Sequence, residues 1–423
     1  MSRRAIGAAI AAGFGIGIVG TLAAGPITPP AGPVGPTGKT TDQIEPRTPL
    51  SQATTPGTIN SVFRISSAGS YYLTDDVNGQ EGKHGILIAA SDVTLDLNGF
   101  TLNGSVFFGG PSLDGVHVDQ PTFREGIAIL NGGIRFFGGD GIAASGAEAM
   151  RLEGVRLIAN GGNGAVLGPQ SVVAGSSANE NGADGFVSEG GTLRDCVAAD
   201  NTVNGFRVDD GGALTGCVAR GNGRDGFNLG NGATANACSA VDSGRYGLNG
   251  SGSVQFTSCS AVRSGLDGFF LIASSTAIGC TSRDNTGDGF ILNTNSSAKG
   301  CYAGENGEVG FVVGANALAL ENVASFNGNV LTSTGAGFDI VGPDNRVEAN
   351  SSINNGIGYR ATGEDSLIIR NSARDNGVNW SIVAGNFVGR IVSAPESGQI
   401  TGDTGGSGVG TTDPWANITF RGN

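Results

Sequence analysis

Three columns of residues that recur about every 21 positions predict an all-β solenoid, a single-stranded right-handed parallel β-helix with three strands per coil and a cap at each end. The first column is a glycine followed by an apolar residue, the second is an asparagine at a bend, and the third contains every cysteine of the chain. Because one coil of this size buries little surface, like residues must stack above like in successive coils, about 4.8 Å apart.

The glycine column predicts one short strand in each coil. In Phe227-Asn228-Leu229 apolar and polar residues alternate, as they do in a strand with one buried face. We therefore expect the phenylalanines to stack in the core, with a sugar-stacking surface as the alternative. The column runs through Gly164-Ala165, Gly185-Phe186, Gly205-Phe206, Gly226-Phe227, Gly247-Leu248, Gly268-Phe269, Gly289-Phe290, Gly310-Phe311, Gly337-Phe338 and Gly358-Tyr359.

One outward position lies between the inward residues of each of these strands. In three successive coils it holds Phe270, Ile291 and Val312, which predicts an apolar ridge on the solenoid. Contiguous apolar patches mark contact surfaces, so the ridge is a candidate interface for another subunit or a covering tail. Carbohydrate is the alternative ligand.

The asparagine column marks a bend, because asparagine and glycine tolerate left-handed backbone angles. An asparagine can also hydrogen-bond the asparagine of the next coil, which predicts a side-chain ladder. The column contains Asn160, Asn181, Asn201, Asn222, Ser243, Ser264, Asn285, Asn306 and Asn327.

The cysteine column consists of six residues, each 21 positions from the next: Cys196, Cys217, Cys238, Cys259, Cys280 and Cys301. An even number of cysteines in an exported protein normally suggests disulfides. Stacked cysteines have parallel Cβ vectors, however, which fit the disulfide dihedral angle near 90° poorly. We expect a buried ladder of free thiols that act as small apolar residues, with a disulfide or a metal site as alternatives.

The segments outside the repeat complete the domain organisation. Residues 1–25 contain Arg3 and Arg4 near their start, followed by an uncharged apolar run. This pattern predicts a signal peptide or an uncleaved membrane anchor. Residues 26–56 form a linker rich in Pro, Gly and Thr, 57–84 the N-terminal cap strands, 85–379 the β-helix, and 380–423 an irregular C-terminal cap or tail. The protein is thus expected in the periplasm, on the cell surface or outside the cell.

The charge balance argues against two classes of partner. A net charge of -13 with three lysines does not suit nucleic acid, which needs a clustered basic surface. It does not suit acidic polysaccharides either, unless arginines gather on one face or a divalent cation bridges the two. A membrane is expected as a partner only through an uncleaved N-terminal segment.

The candidates for chemistry are few, and a structural role is the favoured interpretation of each. The best carboxylate cluster for hydrolysis comprises Asp209, Asp210, Asp225, Arg207 and Arg224. Asp267 and Asp288 precede glycines in adjacent coils and are weak calcium candidates, and a solvated turn column is the favoured explanation for them. No other cofactor is indicated. His84 and His117, the only histidines and so the only imidazole bases, both precede the regular coils.

Two segments carry a resemblance to a known family. Asn98-Gly-Phe-Thr-Leu-Asn-Gly, after Asp92-Val-Thr-Leu-Asp-Leu, is similar to a first-coil motif of the pectate-lyase-like superfamily, in its parallel β-helix repeat branch. Together with Gly69-Ser-Tyr-Tyr-Leu-Thr and Asp413-Pro-Trp-Ala-Asn-Ile-Thr-Phe, the chain resembles exported β-helix proteins of planctomycete-type bacteria. The resemblance implies the fold and export, and it brings no established activity. The superfamily as a whole acts mostly on polysaccharides, and the signatures of pectate lyases and polygalacturonases are missing from this sequence.

These observations predict an exported, non-catalytic structural or binding solenoid that engages polysaccharide or its own copies. The alternative is a polysaccharide-degrading enzyme, either a glycoside hydrolase or a lyase, with a divergent site.

Overall fold

A computed structural model describes residues 46–104, 113–119, 123–329, 331–332, 334–394 and 413–420. Residues Arg47–Asn423 form one compact unit; the other unit, Met1–Pro46, lies outside the described residues except for Pro46. The segment predicted as a signal or anchor is therefore not described. The described residues are all β and contain no helix that could cross a membrane.

The described strands form a parallel solenoid of three ladders, as the columns predict. Each regular coil contributes one strand to each ladder, and nearly every pairing is parallel and in register, for example Phe206 with Phe227. An antiparallel pair, Pro56–Thr58 with Ser61–Ile65, opens the first ladder. The first ladder comprises Pro56–Thr58, Ser61–Ile65, His84–Ile88, Val116–Val118, Ile142–Ala144, Ala165–Leu167, Phe186–Ser188, Phe206–Val208, Phe227–Leu229, Leu248–Gly250, Phe269–Leu271, Phe290–Leu292, Phe311–Val313, Ala336–Ile340, Ile357–Ala361 and Val378–Ile382.

The second and third ladders belong to one sheet, because two long early strands, Ala128–Arg135 and Arg151–Ile158, run through both. The other strands of the second ladder are Thr48–Pro49, Gly69–Tyr72, Val93–Asp96, Val172–Ala174, Thr192–Arg194, Ala213–Thr215, Thr234–Asn236, Gln255–Thr257, Thr276–Ile278, Ser297–Lys299, Leu318–Leu320, Arg346–Glu348, Leu367–Ile369 and Phe387–Val388. Those of the third are Val77–Asn78, Thr101–Asn103, Ser177–Asn179, Val197–Ala199, Val218–Arg220, Ser239–Val241, Ser260–Val262, Thr281–Arg283, Tyr302–Gly304, Val323–Ser325, Ser351–Ile353, Ser372–Arg374, Ile391–Ala394 and Asn417–Phe420. A separate pair joins Arg124–Glu125 to Ala147–Glu148.

The phenylalanine column forms the centre of the core. Neighbouring rings are nearly parallel, with centroids 4.9 Å apart for Phe206 and Phe227 and 4.8 Å for Phe290 and Phe311. Since their rings are fully buried, these phenylalanines do not form a sugar-stacking surface. The glycine before each one is required by close packing: a Cβ on Gly226 would lie 2.7 Å from the carbonyl oxygen of Gly247.

Each coil turns at residues with left-handed backbone angles. In the coil after Phe186 these are Asp195, Asp200 and Gly211, with φ of 54°, 55° and 75°. The left-handed residue of the asparagine bend is thus the one before the asparagine, and not the asparagine itself as expected. The asparagine has a different role, since its side chain bonds the next coil: Asn201 Nδ2 donates to Asn222 Oδ1 at 3.0 Å.

The six cysteines are free and buried, and they lie in one column. Backbone bonds establish the stacking, for example from Val218 N–H to the carbonyl of Cys196 and from Ser239 N–H to that of Cys217. The column then continues as an asparagine ladder: Cys301 N–H donates to Oδ1 of Asn322, and the ladder runs on through Asn350, Asn371 and Asn417.

Both ends of the solenoid extend into segments for which the sequence predicts no regular coil. Thr48–Pro49 pairs with Tyr71 and Tyr72, so the second ladder begins inside the predicted linker. At the other end Asn417–Phe420 joins the third ladder. Trp380 stacks on Tyr359 at 4.5 Å and donates its Nε1–H to Thr419 Oγ1, which closes the aromatic column. Asn417 continues the asparagine ladder, since it accepts hydrogen bonds from the backbone N–H and the side-chain Nδ2 of Asn371.

Candidate functional site

A cluster of His84, Asp114 and His117 lies on the outer face of the first ladder, near its N-terminal end. His117 points outward because Val116 and Val118, its neighbours in the strand, are fully buried. His84 begins the strand of the preceding coil, and Asp114 lies above it in register, since Gly85 N–H donates to the carbonyl of Asp114. Two coils therefore bring the three side chains together.

The Asp114 carboxylate holds both imidazoles. Its Oδ2 lies 2.8 Å from Nδ1 of His117 and 3.4 Å from Nδ1 of His84. The two rings stack with centroids 4.3 Å apart. The other carboxylate oxygen, Oδ1, accepts the backbone N–H of Asp140 at 2.9 Å. Both carboxylate oxygens are thus oriented by neighbours, and only 15% of the Asp114 side chain is exposed.

The charge of Asp114 is stabilised by these contacts. Burial alone would raise its pKa, but hydrogen bonds with His117, His84 and the Asp140 amide outweigh burial and lower the pKa well below its usual range. For Asp140, burial dominates and raises the pKa, partly offset by hydrogen bonds from Asn163. Asp114 is therefore the fixed negative charge of the cluster.

This arrangement is suited to two kinds of chemistry. An imidazole whose Nδ1–H is held by a carboxylate presents Nε2 as a proton acceptor, which is the arrangement of a general base. Two imidazoles and a carboxylate are also a donor set for a transition-metal ion, and the three groups offer ligand atoms that lie within 4.8 Å of one another.

The cluster is the first part of a long side-chain ladder. In six successive coils a side-chain acceptor before the glycine receives the backbone N–H of the residue stacked above it. The acceptors and their distances are His84 Nδ1 at 3.1 Å, Asp114 Oδ1 at 2.9 Å, Asp140 Oδ1 at 2.6 Å, Asn163 Oδ1 at 3.0 Å, Asp184 Oδ1 at 2.9 Å and Asn204 Oδ1 at 3.1 Å. The acidic residues before glycine thus bond the backbone rather than forming a solvated column.

Sequence reasoning missed this cluster, although a signal for it exists. His84 and Asp114 both directly precede a glycine–apolar pair, Gly85-Ile86 and Gly115-Val116, as the acidic residues of later coils do. The unequal spacing of the early coils hid this motif, because His84 and Asp114 are 30 residues apart.

The predicted hydrolytic cluster is not assembled. Arg207 pairs with Asp184 at 2.9 Å, and buried Asp225 pairs with Arg245 at 3.4 Å. Asp209 and Asp210 come after the strand Phe206–Val208, whereas Asp225 comes before the next strand of the same ladder, Phe227–Leu229. A distance of roughly 15 Å along the strand direction therefore separates Asp225 from the other two carboxylates. That separation exceeds the distance between the two catalytic carboxylates of a glycosidase. Arg224, which directly precedes Asp225 in the chain, is exposed.

The predicted calcium pair is in contact, but through the backbone. Asp288 N–H donates to Oδ1 of Asp267 at 2.7 Å, and Oδ1 of Asp288 accepts the N–H of Val309 at 2.9 Å. Burial raises the pKa of Asp267, and burial together with the Asp267 and Glu308 charges raises that of Asp288 to about 7. Partial neutralisation leaves less charge for a calcium ion.

The outward row of the first ladder combines polar and aromatic side chains. Arg207, Asn228, Asn249 and Phe270 occupy it in four successive coils. Ile291 and Val312 continue the row in register after Phe270. All three side chains are half-buried rather than fully exposed. Phe270 stacks on Tyr246 at 4.8 Å, and the Arg245 guanidinium lies 4.5 Å from the centre of the Tyr246 ring.

The architecture defines the chain as a parallel β-helix protein, and comparisons with known proteins agree. The family model "Right handed beta helix region" matches residues 64–240. No curated protein matches the sequence.

Several solved structures are similar in fold. The A-module of mannuronan C-5 epimerase AlgE4 from Azotobacter vinelandii is 13% identical, over 84% of this chain and 87% of that one, with a TM-score of 0.36. A double mutant of the periplasmic alginate epimerase AlgG is 9% identical over 77% and 81%, with a TM-score of 0.42. The tailspike protein of E. coli bacteriophage HK620, in complex with a pentasaccharide, is 11% identical over 85% and 72%, with a TM-score of 0.40. Similarity at this level carries no information about the chemistry of this chain.

Proposed function

We propose that this protein is an exported, non-catalytic β-helix protein that binds a neutral polysaccharide along the outward row of its first ladder. The observation that carries the proposal is the stacked pair of Tyr246 and Phe270, which is partly exposed and flanked by Arg245. Because Phe270 and the Arg245 guanidinium both lie over the Tyr246 ring, the partly exposed Phe270 ring is the one offered to the apolar face of a sugar. The Tyr246 phenol and the guanidinium group supply hydrogen bonds to hydroxyls.

The rest of the row fits an extended ligand. Asn228 and Asn249 stand between Arg207 and the aromatic pair. The Asn228 amide can both donate and accept hydrogen bonds, whereas Asn249 Nδ2 already donates to Asp225 at 3.3 Å. Since each coil places its side chain one strand spacing further on, a linear polymer can follow the row. Export is supported by the apolar N-terminal run predicted from the sequence.

The charges of the row favour a neutral ligand. The two arginines that border it are already paired, Arg207 with Asp184 and Arg245 with Asp225. An acidic polysaccharide would have to compete with these carboxylates and with a net charge of -13. A neutral sugar needs only the hydrogen bonds that the paired guanidinium groups still offer.

A binding screen tests the proposal. The full chain is titrated with neutral β-glucans, galactans and chitin fragments, and with alginate and pectin as acidic counterparts. We expect binding among the neutral glycans and a loss of at least tenfold in affinity on Tyr246→Ala. Phe387→Ala removes an exposed aromatic outside the row and serves as the matched control. Absence of neutral-glycan binding, or equal loss in both variants, contradicts the proposal.

Self-association is the competing use of this surface. If the ridge joins two copies, the parent chain is an oligomer in solution and Phe270→Asp converts it to a monomer. Size-exclusion chromatography with light scattering distinguishes the two. A concentration-dependent dimer that Phe270→Asp abolishes would replace the polysaccharide proposal.

A second candidate function, a polysaccharide-degrading enzyme, is favoured by the Asp114–His117 pair. A screen for turnover of pectin, alginate, chitin and sulfated glycans tests it. Activity that His117→Gln abolishes and Asp210→Asn retains would assign the reaction to the pair and overturn the non-catalytic proposal.

A further inference from the structure

We infer that His84, Asp114 and His117 bind one divalent transition-metal ion of the Zn²⁺ type. His117 lies in the outward row, but four coils before Arg207, where the stretch proposed to bind polysaccharide begins. The argument for this site does not depend on that proposal. It rests on the donor set, its geometry and the support that the fold gives it.

The donor set is that of a three-ligand metal site. Imidazole nitrogen and carboxylate oxygen are ligands that Zn²⁺ and its first-row neighbours prefer, and sites with three protein ligands keep a position open for water or substrate. Calcium is disfavoured because it requires six to eight oxygens, whereas this cluster supplies one carboxylate.

The distances need little change on binding. In a tetrahedral site with bonds of about 2.1 Å, ligand atoms lie roughly 3.4 Å apart. Asp114 Oδ2 already lies 2.8 Å and 3.4 Å from the two imidazole Nδ1 atoms, and all three ligand groups fall within 4.8 Å. Small rotations of the side chains therefore complete the set.

Backbone hydrogen bonds of the solenoid hold the ligand side chains in position. Asp140 N–H holds Oδ1 of Asp114, which leaves Oδ2 directed at the imidazoles. A metal-bound carboxylate is normally held in this way by a second hydrogen bond. The backbone N–H of Asp114 donates to Nδ1 of His84 at 3.1 Å, which orients this imidazole within the cluster.

The cluster is also accessible and correctly charged. The side chains of His84 and Asp114 are 15% exposed and that of His117 is 29% exposed, so an ion can reach the cluster from solvent. One carboxylate then faces the ion, and Asp140 adds a second acidic group beside it.

The test uses the full chain without a histidine tag, because His84 and His117 are its only histidines. Zn²⁺ is titrated by calorimetry near neutral pH, and Co²⁺ serves as the spectroscopic probe. We expect one ion per chain, with affinity weakened at least tenfold by His84→Gln, by His117→Gln and by Asp114→Asn. The double variant Asp267→Asn/Asp288→Asn removes an acidic pair elsewhere in the same ladder and should bind as the parent does.

Several results would overturn the inference. These are no saturable binding of one Zn²⁺ per chain, equal affinity in His117→Gln, or an intense thiolate band in the Co²⁺ spectrum, which would place the ion at the cysteines. Circular dichroism confirms that each variant is folded before it is scored. Because metal binding is measured without any glycan, its failure is distinct from failure of the proposed function.

Discussion

Oδ1 of Asn222 accepts two hydrogen bonds from Asn201, one from the backbone N–H at 3.1 Å and one from the side-chain Nδ2 at 3.0 Å. Nδ2 of Asn222 in turn donates to the carbonyl of Ala198. One asparagine side chain thus satisfies two buried backbone groups of the preceding coil, which water cannot reach. This explains why the bend repeats asparagine rather than another residue that tolerates a turn.

The asparagine ladder is interrupted at Ser243 and Ser264, and filling the interruption should stabilise the protein. Both hydroxyl oxygens are buried without a hydrogen-bond partner among the described residues. In Ser243→Asn/Ser264→Asn the new amides can continue the ladder between Asn222 and Asn285. We expect the free energy of unfolding to rise by about 1 kcal/mol for each restored bond, measured by urea denaturation.

The converse substitution is the control for the ladder. Asn201→Ser creates the same interruption in an intact part of the ladder and should lower the free energy of unfolding by about 1–3 kcal/mol. If serine and asparagine prove equivalent at both places, the side-chain bonds contribute nothing and the account of this bend is incorrect.

In one coil of the aromatic column, smaller side chains in one strand are compensated by a larger side chain in another strand. Leu248 and Gly250 replace the usual Phe and Leu of the strand, and Phe256 fills the space they leave, edge-on to Phe269 at 5.7 Å. A Cβ on Gly250 would lie 3.1 Å from the Phe256 ring. Phe256→Ala alone should cost about 3–5 kcal/mol of unfolding free energy, because it leaves a cavity.

Restoring the pattern of the neighbouring coil should recover much of that loss. The triple variant Leu248→Phe/Gly250→Leu/Phe256→Ala reproduces the core residues Phe269, Leu271 and Ala277 of the next coil. Leu248→Phe alone should instead destabilise by about 1–3 kcal/mol through overpacking. Thermal unfolding of the four chains measures the coupling; strictly additive losses would show that these side chains do not share one space.

The cysteine column should be chemically inert in the folded protein. All six cysteines are almost fully buried, so a thiol reagent cannot reach them in the folded chain. A chromogenic thiol reagent should therefore modify none of the six within minutes, and all six once denaturant is added without reductant. Fewer than six reactive thiols in denaturant would reveal a disulfide.

The regular coils were predictable from the sequence because their length is constant, and the early coils were not. Between Asn163 and Asp184 the spacing is 21 residues, whereas Asp114 to Asp140 is 26 and His84 to Asp114 is 30. Insertions at the bends change the spacing without changing the stacking, so a fixed period cannot detect the His84–Asp114–His117 cluster. Asn417 was hidden for the same reason, since 46 residues separate it from Asn371.

How the contribution of a buried carboxylate such as Asp288 to stability changes with pH can be derived only from the structure. Asp288 accepts a hydrogen bond from Val309 N–H, which favours its charged form, but burial and the Asp267 charge outweigh that bond and raise its pKa from 3.8 to about 7. Between these two values the folded chain binds a proton at Asp288 that the unfolded chain has lost. The contribution of Asp288 to stability is therefore complete in acid and is lost as the pH rises through about 7.

Asp288→Asn tests this sign, because an amide cannot ionise and its Oδ1 still accepts the Val309 N–H. We expect the variant to be more stable than the parent by about 2–4 kcal/mol near pH 8, and nearly equal to it near pH 3, below the unfolded-state pKa, in urea denaturation at both pH values. Asp209→Asn, an exposed carboxylate beyond the ladder, should change little at either. A variant that is destabilised at high pH would mean that Asp288 is charged and favourably bound in the fold, for example by a cation, and would revive the calcium prediction for Asp267 and Asp288.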